Sequence, residues 1–262
     1  MLSVESSASR PLVPREAVLE KEARKTHWKQ DPESVKADIL QVAVSEFSVK
    51  GLSGTRIDEI ARRTATSKRM IYYYFGDKLG LYREALESEY RRAREGEGEI
   101  DFSGLDPVDA LRRLVEFTFD FHREHPDFVA MIAHENTQDA VHLAQSEAIR
   151  KLNQGAVKQV GEIYAEGVRR GHFRPGLEPV RLHWTISALC FYNVSNRHSF
   201  SAGFGDTIHS EAGQEEHRRF VVDLVMRAVM SNSQSAEISR FVSQEREEPC
   251  SPADKCPHPP LR

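Results

Sequence analysis

The chain has 262 residues, 39% of them apolar and 29% charged, which is enough for one large domain or two small ones around a proper core. Its net charge of −4 gives no general attraction to nucleic acid, and its three cysteines (Cys190, Cys250, Cys256) exclude a disulfide scaffold and point to a reducing compartment, the cytoplasm. The N-terminus lacks the basic-then-apolar pattern of a secretory signal, and the longest uncharged stretch of the C-terminal half, about Trp184 to Asn196, is too short to span a bilayer, so no membrane partner is expected.

Residues 1–32 combine Ser, Pro and mixed charges without apolar period and predict a flexible arm, with a helical pattern near Glu16 to Lys29. The first helix opens near Pro32 or Glu33. Ile39, Leu40, Ala43, Val44 and Phe47 form one apolar stripe, and Gly51 and Gly54 place its end near Lys50. Thr55 with Asp58 three residues on predicts a capping box for a second, two-turn helix through Ile57, Ile60 and Ala61. Thr64 to Ser67 break the pattern, and Thr66 or Ser67 can cap a third helix from Lys68 to Phe75 whose inward residues are Ile71 and Phe75. Asp77 caps a fourth helix from Lys78 toward Arg94.

After a polar spacer, Pro107 opens a fifth helix through Leu111, Leu114, Val115, Thr118 and Phe121. Pro126 stops it and starts a short sixth through Phe128, Met131 and Ile132. Long helices follow over about 144–170, 179–200 and 214–230. Residues 231–262, with five prolines from Pro249 to Pro260, predict a disordered tail. No run alternates like a strand, so the fold class is all-α. The expected division is an arm (1–32), a helix-turn-helix domain (33–80), a helical domain (81–230) and a tail (231–262).

The second and third helices, joined by a three- to four-residue turn, have the helix-turn-helix arrangement. Between Lys50 and Phe75 six Lys/Arg stand against two acids, a local +4 in an acidic protein. Lys68, Arg69, Tyr72 and Tyr73 fall opposite the buried Ile71 and Phe75. Lys and Arg can donate to guanine or phosphate, and Tyr can donate to phosphate or pack on a thymine methyl. Ser67 and Thr55 each offer a hydroxyl at a helix start, suited to phosphate. An ordinary helical hairpin with a solvated charged face is the alternative on spacing alone.

The stretches ILQVAVSEFSVKGLSGTRIDEIARR and TSKRMIYYYFGDKLGLYREAL, about 55 residues with the Tyr-x-Tyr-Phe-x-x-Lys end of the third helix, resemble the N-terminal domain of the tetracycline-repressor (TetR) family of bacterial transcriptional regulators. The resemblance implies a homodimeric, sequence-specific regulator, a repressor that a small-molecule effector releases from a palindromic duplex operator. It implies phosphate contacts for Thr55, Tyr72 and Lys78, a phosphate or base contact for Arg56, and base-facing positions for Lys68, Arg69, Met70 and Tyr73. Tyr74 lies closer to the buried side. The family's turn usually carries Gly where this chain has Ala65, and a left-handed residue there would cost Ala about 1 kcal/mol more than Gly. For the arm, Arg10, Arg15, Lys21, Arg24, Lys25 and Lys29 could enter a minor groove, but its acids nearly cancel the charge and favour a solvated tail.

The rest of the chain corresponds to the family's ligand-receiving and dimerising domain. The helices at about 179–200 and 214–230 are expected to form the dimer interface through Trp184, Ile186, Leu189, Tyr192 and Val194, and through Phe220, Val221, Leu224, Val225 and Val229. Candidate effector contacts are Phe117, Phe121, His122, Met131, His134, Asn136, Trp184 and Phe191, a mix of apolar and polar groups, with plain core packing as the alternative. No metal or cofactor is expected. A metal-responsive variant would use His122, His125, His134 and Glu135, or the tail's Cys250, Cys256 and His258. There is no Gly-x-Ser-x-Gly, Walker or dinucleotide fingerprint, so the chain is not expected to be an enzyme. A helical adaptor that has lost DNA reading is the remaining alternative.

Overall fold

The computed structural model describes residues 31–231. The expected arm up to residue 30 and the tail from 232, with Cys250, Cys256 and His258, lie outside the described residues. The described chain is helical, with one isolated β-bridge between Phe173 and Met230. Its contacts divide it into two compact units, one up to Ser88 and the other from Glu89.

In the first unit, α1 (Pro32–Gly54) starts where Asp31 accepts the Glu33 N–H at 3.1 Å and Pro32 takes the first turn. Regular helix ends near Lys50, as the glycines predict, because Gly51 has φ 65° and ψ 179°, a conformation that only glycine adopts without strain. α2 (Ile57–Arg63) and α3 (Lys68–Phe75) follow, then α4 (Lys78–Gly98), of which the residues up to Ser88 belong to this unit and those from Glu89 to the second, and where Asp77 Oδ1 accepts the Gly80 N–H at 2.7 Å. Ile39, Phe47, Ile60 and Ile71 are fully buried, a contribution of about 1.5–3 kcal/mol each. The Phe47 and Tyr82 rings meet edge to face at 4.9 Å.

In the second unit, α5 (Pro107–Glu124) is capped by Asp106, α6 (Pro126–Asn136) follows directly, and a single turn, α7 (Val141–Ala144), leads to α8 (Glu147–Arg169), capped by Ser146. Then come α9 (Pro179–Ser195), α10 (Arg197–Phe204), a 3-10 turn (Thr207–His209) and α11 (Glu211–Val229), capped by Ser210. Leu111, Val115 and Phe119 of α5 pack with Val160 and Tyr164 of α8, Leu182 and Ile186 of α9, and Val221, Val225 and Val229 of α11. The Phe173 ring occupies the space beside Gly167 of α8, where an added Cβ would lie only 2.0 Å from it. Arg174 N–H donates to the Val229 carbonyl at 2.8 Å and Ser231 N–H to the His172 carbonyl at 3.0 Å, tying the end of α11 to this turn.

Three boundaries differ from the sequence reading. α4 continues one turn past Arg94. The expected helix over 179–200 is broken at Asn196, whose amide donates to Ser195 Oγ at 2.9 Å, a local side-chain bond of the kind that competes with helix continuation. The last helix starts earlier because Ser210 accepts the Gly213 N–H at 3.1 Å.

Candidate nucleic-acid interface and ligand cavity

The turn between α2 and α3 is built from backbone bonds. Thr66 N–H donates to the Ala61 carbonyl at 3.0 Å and Ala65 N–H to the Arg62 carbonyl at 3.4 Å, the paired bonds of a Schellman ending. Ala65 sits at its left-handed position with φ 50°, as the missing glycine implied. Ser67, not Thr66, caps α3, accepting the Met70 N–H at 3.2 Å. Ile71 and Phe75 face inward, and Ser67, Lys68, Arg69, Tyr72 and Tyr73 face solvent, with Met70 and Tyr74 between. Tyr73 is 77% exposed, a large apolar ring left in water.

Two expectations at the start of α2 are corrected. Arg56 occupies the N-cap position and α2 has no side-chain cap, so the Thr55–Asp58 capping box does not form. Thr55 is 1% exposed, and its hydroxyl donates to the carbonyls of Gly51 at 2.9 Å and Glu46 at 3.1 Å. This hydroxyl locks the end of α1 and is not presented to a ligand.

The local positive charge is also more neutralised than a count from Lys50 onward suggests. Glu46, just outside that window, is buried and accepts from Lys50 at 2.5 Å and Arg63 at 2.6 Å. Burial pushes its carboxyl up, but the hydrogen bonds and charges of Lys50 and Arg63 reverse this and hold it below its usual range. Arg62 pairs with Glu59, and Lys68 with Asp58. Lys78 donates to the Ser53 carbonyl at 3.3 Å. Arg56 and Arg69 are exposed and make no ion pair among the described residues. Such exposed pairs are worth about 0–1 kcal/mol, so a phosphate can displace them.

The second unit holds a half-open cavity of about 540 Å³ between α4, α5, α6, α8 and α9. Of the eight expected effector contacts it brings together Phe117, Phe121, His122, Asn136, Trp184 and Phe191. Met131 and His134 are not on its wall. Met131 is fully buried in the packing of α6, and His134 lies on the same helix away from the cavity. The sequence reading missed Tyr90, Arg94, Glu97, Asn153 and His183. Tyr90, Ala93 and Glu97 recur at helical spacing, a signal that would have found this face of α4 had its helix been carried beyond Arg94.

The polar groups of the cavity are electrostatically coupled. Arg94 is ion-paired with Glu97 through Nη1, while its Nε is buried with no acceptor among the described residues. Burial pushes the Glu97 carboxyl up, against the pull of Arg94. Burial, joined by the charges of Arg94 and His122, pushes His183 down to about 4. His122 is lowered by burial too, although its Nδ1–H donates to the Thr118 carbonyl at 2.7 Å.

The residues weighed for a metal are placed otherwise. The Nδ1 atoms of His122 and His125 face the carbonyls of Thr118 and Phe121. Glu135 is buried and accepts from His142 Nδ1 at 2.9 Å and from the N–H groups of His142 and Leu143 at 3.1 and 3.0 Å, holding the start of α7. No group of three His, Cys, Asp or Glu among the described residues is arranged to hold a metal ion. Cys190 is buried in the core, and burial pushes its thiol up to about 12. Nor is any described helix long and apolar enough to cross a membrane.

The residues expected at a dimer interface divide three ways. Ile186, Val221, Val225 and Val229 belong to the core of the unit. Leu189 and Val194 are half-buried against its apolar clusters. Trp184 and Tyr192 of α9 and Phe220 and Leu224 of α11 are exposed, Trp184 by 71% and Phe220 by 59%.

A capped helix-turn-helix with an exposed Tyr- and Arg-bearing helix, followed by a helical unit around an aromatic cavity, defines a DNA-binding transcriptional regulator. The profile for bacterial regulatory proteins of the tetR family matches residues 39–85, and that for the tetracyclin repressor-like C-terminal domain matches residues 107–225. The chain is 32% identical over 200 residues to the HTH-type transcriptional repressor NicS of Pseudomonas putida, covering 76% of this chain and 94% of that protein. It belongs to the tetR family. Among solved structures it shares the fold of a tetR-family regulatory protein from Rhodococcus (TM-score 0.59, 18% identity, 76% of this chain and 98% of that one). It likewise shares that of a transcriptional regulator from Streptomyces coelicolor (TM-score 0.57, 23% identity, 74% and 98%).

Proposed function

We propose that this chain is a homodimeric, cytoplasmic repressor that places α3 in the major groove of a near-palindromic operator and leaves it when a small molecule fills the cavity. The observation that carries the reading is the outer face of α3: Arg69 in no ion pair among the described residues and Tyr73 exposed, on a helix fixed by the Schellman ending and the Ser67 cap. Arg69, Lys68, Met70 and Tyr73 meet base edges, and Tyr72, Lys78, Arg56 and the Ser67 helix start meet phosphates. The exposed apolar residues of α9 and α11 pair with those of a second copy, setting two α3 helices on half-sites about one DNA turn apart. An effector shifts the equilibrium only by its different affinity for the DNA-competent and released states. The repressor sense rests on likeness to NicS, itself named a repressor.

Selection of bound duplexes from a random library by the full-length protein tests the reading. The expected product is a palindrome whose enrichment disappears in the Arg69→Ala/Tyr73→Ala variant. Survival of both affinity and sequence preference in that variant would overturn the assignment of α3.

A further inference from the structure

The cavity's lining has an uneven chemistry. Six of its side chains are aromatic rings, Tyr90, Phe117, Phe121, Phe128, Trp184 and Phe191. Phe117 and Phe121 lie 5.8 Å apart and tilted, and Phe121 and Phe128 meet edge to face at 5.6 Å. Such walls favour a flat ring, which can stack on some faces and meet the edges of others. Against them stands a single cation, Arg94, and a single carboxylate, Glu97. Glu97 is already held by Nη1 of Arg94, which leaves no uncommitted carboxylate on the wall for a cationic ligand. The guanidinium is not correspondingly saturated. Its Nε is buried without an acceptor among the described residues, and Nε together with Nη2 forms the edge that a carboxylate grips through two parallel bonds once the side chain turns that edge to the cavity. The imidazoles of His122 and His183 are held toward their neutral forms by burial and by Arg94, so they do not offer a competing positive charge.

We propose that the cavity takes an aromatic monocarboxylic acid, with its ring among the phenylalanines and its carboxylate on the Arg94 guanidinium. This rests on the reading of the cavity as the effector site and names the ligand's chemical class. A wholly apolar ligand would leave the buried Nε donor unsatisfied in a site from which water had been displaced. Arg94 therefore selects charge, and the rings select flatness.

Calorimetric titration of the full-length protein tests this with benzoate and 2-naphthoate, their carboxamides, and cyclohexanecarboxylate as probes. At least one aromatic acid is expected to bind once per chain, about tenfold or more tighter than its amide and tighter than the saturated acid. Arg94→Gln is expected to abolish the preference for acid over amide. Arg94→Lys, which keeps the charge and loses the fork, is expected to retain part of it and serves if the Gln variant does not fold. Equal binding of acid and amide, an unchanged preference in both variants, or no binding of any aromatic acid at millimolar concentration would overturn the proposal. Operator release is measured separately. Arg94-dependent binding of an acid that leaves operator affinity unchanged supports the ligand class and removes the effector reading. Release by an amine or neutral compound, with the acids inert, overturns the ligand class and leaves the effector reading standing.

Discussion

Lys68 of α3 is ion-paired with Asp58 of α2, across the turn that joins the two helices. The pair holds the lysine proposed to face bases against the neighbouring helix, so it has to open for Lys68 to take that role. Both side chains are half exposed, so the pair is worth about 0–1 kcal/mol and opening it is cheap. Asp58→Asn is therefore expected to tighten binding to non-specific duplex several-fold and to steepen the dependence of log affinity on log salt by about one ion. Fluorescence anisotropy at several salt concentrations measures both. On non-specific duplex the freed lysine has no matching base edge and pairs with phosphate, so an unchanged slope would mean that Lys68 does not reach the DNA at all.

Ala65 occupies a left-handed position at φ 50°, where a Cβ is strained. Ala65→Gly is expected to raise stability by about 1 kcal/mol, with the same α3 face presented and the same operator preference. Urea unfolding gives the stability. A loss in place of a gain would mean that the backbone at this position is not left-handed.

Glu46 of α1 neutralises Lys50 and, across to α2, Arg63. Its carboxyl is held below the ordinary 4.5, so its stabilisation is present above that pH and lost as the pH falls through the lowered value. Glu46→Gln is expected to cost about 1–3 kcal/mol at neutral pH. It also releases two cations near the face proposed to meet DNA, so non-specific binding should become more salt-sensitive even as stability falls.

Trp184 and Phe220 are exposed on the single chain, so Trp184→Glu and Phe220→Glu should alter its own stability by only about 0.5 kcal/mol. If they form the dimer interface, the double variant sediments as a folded monomer and loses operator binding. A double variant that sediments as the wild type does would exclude these faces from the interface.

Glu89 is buried beside Arg92 and Asp127, and burial pushes its carboxyl up to about 6, with Arg92 lowering it and Asp127 raising it. With the folded value raised, the favourable contribution of the protonated acid is present below 4.5 and lost as the pH rises through about 6. Glu89→Gln is expected to be more stable than the wild type by about 1–2 kcal/mol at pH 8 and equal to it at pH 4. Thermal unfolding across that range reads the crossover. A constant difference at every pH would remove ionisation as the cause.

The sequence by itself determined the helices, the turn and the outward face of α3. Those features are local: apolar residues at steps of three and four, prolines in the first turns at Pro32, Pro107, Pro126 and Pro179, and caps at Ser67 and Asp77. The resemblance to a family that usually carries Gly at this turn located the left-handed position at Ala65. Only the tertiary structure decided which polar groups meet. It turned the Thr55 hydroxyl inward, set Glu46 against Arg63, and placed Arg94 near His183 while leaving Met131 and His134 off the cavity wall. A helical period fixes which side of a helix is apolar but not what lies opposite it. Partners far apart in sequence are chosen by how whole helices pack, and no local pattern along the chain encodes that choice.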